Sequence, residues 1–248
     1  MNPRSIGIVG YGNFGSFVHA LIQRFAPQIE VRVYSRNKAP DGATFFSLPE
    51  VAECDAVIFA VPIQAYAEVL KETIPLMKKD GVIVDVATVK KHTVKLLQKL
   101  AGSQRYIAMH PMFGPESYQK RGQDVSGLRI VIAEHTLARA DFSHVVGFLK
   151  SCGFSVIEMT ADEHDKHLAE SLFLTHFIGQ TIFRAGFDRT EIDTVSFGFL
   201  MSAVESVRQD TALFQEVFRF NPYCKKVLKQ FEKAERQVEK LLSKVSRA

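Results

Sequence analysis

The sequence is short of cysteine, of long apolar runs and of charge imbalance, and each shortage removes a class of protein. Three cysteines occur in 248 residues, Cys54, Cys152 and Cys224, scattered and without a CxxC pair. An odd, dispersed set offers no disulfide framework and reads as reduced intracellular thiols. No apolar stretch approaches the roughly 20 residues that a membrane helix needs. Met1-Asn2-Pro3-Arg4 runs straight into a strand-like segment without a secretory pattern, so a soluble cytoplasmic chain is expected. The net charge is only +4, from 31 basic and 27 acidic residues. Eight basic and three acidic residues fall from Tyr223 onward, which leaves the rest of the chain at −1. That excess sits on one helical period, Leu228, Phe231, Val238, Leu242 and Val245, with signs interleaved as in Glu232-Lys233 and Glu235-Arg236. A solvated helix face fits this pattern; a nucleic-acid footprint would need a denser block.

What is present is ordinary globular material, 46% hydrophobic and 23% charged, on a chain long enough for one large domain or two modest ones. Strand-like runs at Ser5–Val9, Val31–Ser35, Ala56–Val61, Val82–Val86, Tyr106–Met109, Arg129–Ala133 and Phe154–Ile157 are interleaved with helix-like stretches. The helical stretches are Phe14–Phe25, Ala65–Met77, Val89–Leu100 and Ala138–Cys152. This alternation predicts an α/β fold, a Rossmann-type doubly wound sheet with helices on both faces. After Met159 only helical periods follow, over Asp162–Gly186, Asp193–Glu205, Thr211–Phe218 and Pro222–Val245. The expected division is a dinucleotide-binding domain over 1–158 and an all-helical domain over 159–248. Leu168–Phe183 is apolar on most faces and must be buried, so a homodimer through the helical domain is expected.

The strongest local signal is Gly10-Tyr11-Gly12-Asn13-Phe14-Gly15, directly after a strand and opening a helix. Gly10 permits the tight turn, Gly12 lets backbone approach a pyrophosphate, and Gly15 allows close helix–strand packing. The helix N-terminus, with Asn13 and Phe14, offers unpaired N–H groups to the phosphates. An NAD site ordinarily carries a carboxylate at the end of the second strand. Here that place holds Ser35-Arg36-Asn37-Lys38, a hydroxyl and two cations. NADP is therefore expected, with NAD as the weaker cofactor.

His110 ends a strand and opens the loop Pro111-Met112-Phe113-Gly114-Pro115-Glu116-Ser117, where open α/β sheets put ligands. An imidazole there can take a proton near neutrality. His19, His92, His135 and His144 lie in ordinary contexts. Glu163, His164 and His167 superficially match a metal spacing but lack a third well-placed ligand, so no metal is expected.

Gly10–Gly15, Asp85-Val86-Ala87-Thr88-Val89-Lys90, His110–Ser117, Glu163-His164-Asp165 and Phe173-Leu174-Thr175-His176 resemble, in order, the arogenate/prephenate dehydrogenase family. The His-Pro-Met-Phe-Gly-Pro-Glu-Ser run and the later Phe220-Asn221-Pro222 are most similar to the plant-type arogenate dehydrogenases, and the resemblance covers nearly the whole chain. It implies oxidation of a cyclohexadienol with loss of its ring carboxylate as carbon dioxide. The product is tyrosine from arogenate or 4-hydroxyphenylpyruvate from prephenate.

The resemblance makes His110 the base or hydrogen-bond acceptor for the ring hydroxyl. Thr88 stands where relatives have serine and would orient His110 or the substrate. Glu116 would help order the site, and Thr175 and His176 would contact substrate. A cation should meet the ring carboxylate, with Arg208 as the nearest candidate and Lys90 and Arg184 as weaker ones. Asp165 is the expected reader of the arogenate ammonium. The expected activity is NADP-dependent oxidative decarboxylation of arogenate, with prephenate as the alternative substrate. Remoter alternatives are a reductase of imines or hydroxy acids and a non-enzymatic NADP sensor; the first of these would want a helical-domain lysine where Thr175-His176 stand.

Overall fold

A computed structural model describes residues 3–245, with side chains through Ser243. The chain divides into two compact units, Met1–His164 and Asp165–Ala248. Unit one carries a seven-stranded sheet ordered β2-β1-β3-β4-β5-β6-β7. The strands are β1 (Ser5–Val9), β2 (Glu30–Tyr34), β3 (Ala56–Phe59), β4 (Val82–Asp85), β5 (Arg105–Pro111), β6 (Arg129–His135) and β7 (Ser155–Glu158). Around them run α1 (Asn13–Phe25), α2 (Leu48–Ala52), α3 (Ile63–Thr73), α4 (Lys90–Leu100), α5 (Pro115–Lys120) and α6 (Arg139–Ser151). Alternate residues of β3 feed opposite cores. Ala56 and Ile58 pack with Phe17, Ile107 and Ile132, whereas Val57 and Phe59 pack with Tyr66, Leu70 and Ile83. A sheet buried on both faces explains why the central strands are apolar throughout.

β1 to β5 are parallel, but β6 runs antiparallel to β5, and β7 is parallel to β6. Reversal there follows from the connection, since a parallel return needs a crossover helix of some length. The segment between β5 and β6 holds only the six-residue α5. At the other end the order changes direction between β1 and β3, the point where such sheets receive ligands.

α7 (Ala161–Leu168) begins with Thr160, whose backbone N–H and hydroxyl both donate to Glu163. The division into units falls within this helix. Unit two continues through a π-turn at Ala169–Phe173 into α8 (Leu174–Arg184), α9 (Val195–Val207), α10 (Thr211–Phe220) and α11 (Cys224–Val245). α8 and α9 pack closely at Gly179, where a Cβ would lie 2.4 Å from Val207 Cγ2. Gln180 then donates to the carbonyls of Val207 and Arg208, closing the C-terminal end of α9. The core of this unit is aromatic: Phe173 stacks on Phe214 and Phe218, and Phe177 meets Phe231 edge-on. Val227 of α11 is buried and Phe231 partly so, whereas Val238, Leu241 and Leu242 are exposed. The Val245 side chain lies outside the described residues. Among the described residues no helix is long and apolar enough to cross a membrane.

Candidate active site

The glycine turn is dictated by contacts rather than by flexibility alone. Gly10 sits at φ +103°, and a Cβ on it would strike Ala60 O at 2.4 Å. A Cβ on Gly15 would meet Gly10 O at 2.1 Å. Gly12 has nothing within 4 Å of its Cβ direction. It precedes Asn13 at an N-terminus that has neither a side-chain cap nor an acidic residue in the first turn. Two glycines pack the turn, and the third leaves open space above uncapped N–H groups, a fit for a dinucleotide pyrophosphate. Gly10 N–H donates to Tyr34 O at 2.9 Å, which ties the turn to the end of β2. Ser35 follows half-buried; Arg36 and Lys38 are exposed and form no ion pair among the described residues.

The chemistry-bearing residues of unit one gather at the ends of β4 and β5. His110 is buried, and its Nδ1 lies 2.9 Å from Nε2 of His164 on α7. One nitrogen of that contact donates and the other accepts. When Nδ1 of His110 carries the proton, its Nε2 is left as an acceptor, the tautomer a base toward a hydroxyl requires. Burial first, then His164 and Lys90, hold the His110 imidazole well below its ordinary pKa of 6.5. The ring is thus kept neutral and ready to accept. Thr88 lies half-buried in the turn between β4 and α4, and the orienting contact at Nδ1 comes from His164 instead. Glu116 is exposed in the first turn of α5, paired with Lys120 at 2.7 Å.

Lys90 is not a free cation for a substrate carboxylate. It is fully buried and donates to Asp85 Oδ2 and to Met109 O, both at 2.7 Å.

In unit two, His176 is buried and Thr175 exposed, as consecutive helical residues about 100° apart must be. His176 Nδ1 contacts Leu172 O at 2.9 Å, so it carries the proton, and Nε2 is a buried acceptor without a hydrogen-bond partner. Asp210 Oδ2 stands 3.8 Å from that nitrogen. Asp165, expected to read an ammonium, is fully buried, and its backbone carbonyl accepts from Asn221 Nδ2 at 2.7 Å. A carboxylate with no exposed surface does not suit that task; Asp210, 49% exposed, is the acid beside His176. Arg208, at the end of α9, is exposed two residues from Asp210, and Arg184 is exposed at the end of α8. Spacing alone leaves His164 an incomplete metal ligand and hides its contact with His110. Its position four residues after Thr160, on the helix the Thr160–Glu163 cap starts, is the signal the sequence offers.

Two family profiles match the chain: "Prephenate dehydrogenase, nucleotide-binding domain" over residues 36–127 and "TYRAAT1-like, C-terminal domain" over residues 182–247. Arogenate dehydrogenase 1, chloroplastic, of Arabidopsis thaliana is 30% identical over 243 residues, covering 92% of this chain and 38% of that protein. Arogenate dehydrogenase 2, chloroplastic, of the same plant is 28% identical, covering 96% of this chain and 69% of that one. The chain thus spans well under half the length of the first relative. A crystal structure of prephenate dehydrogenase from A. aeolicus, in complex with hydroxyphenyl propionate and NAD+, shares the fold. Its TM-score is 0.77 at 18% identity, over 100% of this chain and 93% of that one. With the glycine turn, the buried histidine at the tip of β5 and plant relatives along nearly the whole length, the chain is similar to the arogenate and prephenate dehydrogenases, and residues 36–127 match the nucleotide-binding domain of the prephenate dehydrogenase family.

Proposed function

We propose that the protein catalyses NADP-dependent oxidative decarboxylation of arogenate to tyrosine, with prephenate as the alternative substrate. The observation that carries this reading is the buried, neutral His110 held by His164 at the end of β5. His110 Nε2 accepts the hydrogen bond of the substrate's ring hydroxyl and draws off its proton as the carbonyl character of that carbon develops. Gly10, Gly12, Asn13, Phe14 and Gly15 hold the pyrophosphate, and Ser35, Arg36 and Lys38 the adenosine end. When bound, the nicotinamide would supply the hydride acceptor for the carbinol carbon; the ring-carboxylate bond would break with its electron pair aromatising the ring, carbon dioxide leaving and the proton on His110 returning to the phenolate oxygen. Thr88 would bond the same hydroxyl. Glu116, Thr175 and Arg208 remain proposed substrate contacts on the family resemblance, Arg208 toward carboxylate. A homodimer through the helical unit belongs to the same reading. Phe187, Ile192, Val195 and Phe199 are exposed there, more apolar surface than a solvated helix pair needs.

Arogenate is favoured over prephenate by the pairing of His176 and Asp210. A buried acceptor nitrogen beside a carboxylate suits an ammonium group and disfavours a ketone in its place. NADP is favoured by two cations at the end of β2 and by the absence of a carboxylate among Ser35-Arg36-Asn37-Lys38.

The test is steady-state turnover, followed at the reduced-nicotinamide absorbance, with both substrates and both dinucleotides. Arg36→Ala should raise the KM for NADP roughly 10- to 100-fold, the value of a charge-assisted hydrogen bond, and leave that for NAD unchanged. Asp210→Asn should lower kcat/KM for arogenate by a similar factor while prephenate is unaffected. Equal losses on both substrates would remove Asp210 as the ammonium reader. No absorbance change with either substrate would leave a nucleotide-binding sensor instead.

A further inference from the structure

Lys90 and Asp85 are both wholly buried, and their side chains meet at 2.7 Å. Asp85 is fully engaged: Oδ2 also accepts from Thr93 Oγ1 at 2.6 Å, and Oδ1 from Ala87 N–H at 2.9 Å. Such a pair is a poor stabiliser, because desolvating two charges offsets most of their attraction and apolar replacements often do as well. Its location is also locally unfavourable. Lys90 is the first residue of α4, where the helix dipole disfavours a cation, and the preceding Val89 provides no side-chain cap. A residue that breaks local rules in this way points to a functional constraint.

The constraint is visible in the backbone of β5. Pairing with β4 ends at Asp85 opposite Ala108, so Met109 lies one residue past that ladder. The register against β6 shifts between Ala108 and Met109, a bulge of the kind that re-aims a neighbouring side chain. Lys90 Nζ takes the Met109 carbonyl at 2.7 Å, and the next residue is His110. We propose that Lys90, held by Asp85, is a positioning residue for His110, fixing the irregular backbone that carries the ring and setting a positive charge behind it.

The groups that face His110 among the described residues are His164 from α7 and Lys90 from α4, with Asp85 of β4 behind Lys90. A cation there opposes protonation of the imidazole, adding to the effect of burial. Removing it should therefore move the titration of His110 upward. The rate consequence rests on the reading of His110 as the proton acceptor; the titration itself does not.

The experiment compares the full chain with Lys90→Met and with Lys90→Met/Asp85→Asn. The second variant guards against misfolding from an unpaired buried carboxylate and should recover part of the Tm lost by the first. Ring titration is followed by NMR, with the His110 signal assigned through its loss in His110→Asn, alongside the pH profile of kcat/KM. The expected result is a His110 midpoint raised by about one unit, with the acid limb of kcat/KM moving up with it. An unchanged midpoint in the folded double variant overturns the proposal. A raised midpoint with an unmoved acid limb upholds the placement of Lys90 and overturns His110 as the proton acceptor.

Discussion

Replacing His110 with asparagine should lower kcat by about 10²- to 10⁴-fold, the usual loss of an acid–base partner. The dinucleotide Kd should stay close to that of the parent, because the glycine turn proposed to bind it lies after β1 and not at the tip of β5. Asparagine can keep a hydrogen bond but cannot take a proton, so the change separates acceptance from orientation. Turnover near that of the parent would refute the role. The pH profile carries the same prediction in another form. The imidazole is held well below 6.5 by burial, His164 and Lys90, so its neutral, accepting form persists on acidification. The acid limb of kcat/KM is therefore expected below pH 6.5. Stability moves in the same sense. As pH falls below about 6.5 the unfolded chain binds a proton that the folded His110 refuses, so the fold loses stability from there down to the depressed folded pKa.

All seven strands are legible in the sequence because the sheet is buried on both faces and its strands are short apolar blocks bounded by turns. Their expected bounds differ from the observed ones by a residue or two at most ends. Two short helices escape that pattern. α2 carries a readable signature, Ser47-Leu48-Pro49-Glu50, in which Glu50 Oε2 accepts from both the N–H and the hydroxyl of Ser47. α5 has only six residues and a proline at its first position, too short for any period to appear. The antiparallel β6 is invisible to periodicity, since strand direction leaves no trace in a four- to seven-residue pattern.

The site is half legible for a related reason. His110 and the glycine turn announce themselves locally, each at the end of a strand. His164 and Lys90 act through tertiary contacts across 54 and 19 residues of sequence, which spacing cannot reveal. Asp165 shows the converse: its place in a motif suggests a ligand, while the fold buries it completely, which no spacing foretells. Lys90 has the residue type of a carboxylate-binding cation, and only the fold shows that its charge is turned inward to Asp85 and the β5 backbone.

Gly15→Ala and Gly12→Ala should fail in opposite ways, which separates packing from ligand space within one motif. At Gly15 the new methyl would stand 2.1 Å from Gly10 O and 3.0 Å from Gly10 C, both backbone atoms of the turn itself. No side-chain rotation relieves that contact, so α1 must move from β1 or the turn must open. Overpacking of this kind costs about 1–3 kcal/mol. In a unit of this size that lowers Tm by roughly 3–10 °C without any dinucleotide present. At Gly12 the methyl meets no protein atom within 4 Å, so the apo protein should melt where the parent does. Its cost should appear only on adding NADP, as a Kd raised at least about tenfold and a correspondingly smaller thermal shift, because the methyl would occupy the space proposed for the pyrophosphate. An apo Tm lowered as much by Gly12→Ala as by Gly15→Ala would mean that the open space above Gly12 is not where the nucleotide sits. Unchanged NADP affinity in Gly12→Ala would lead to the same conclusion by a second route, since a ligand lying against those N–H groups cannot be indifferent to a methyl placed over them.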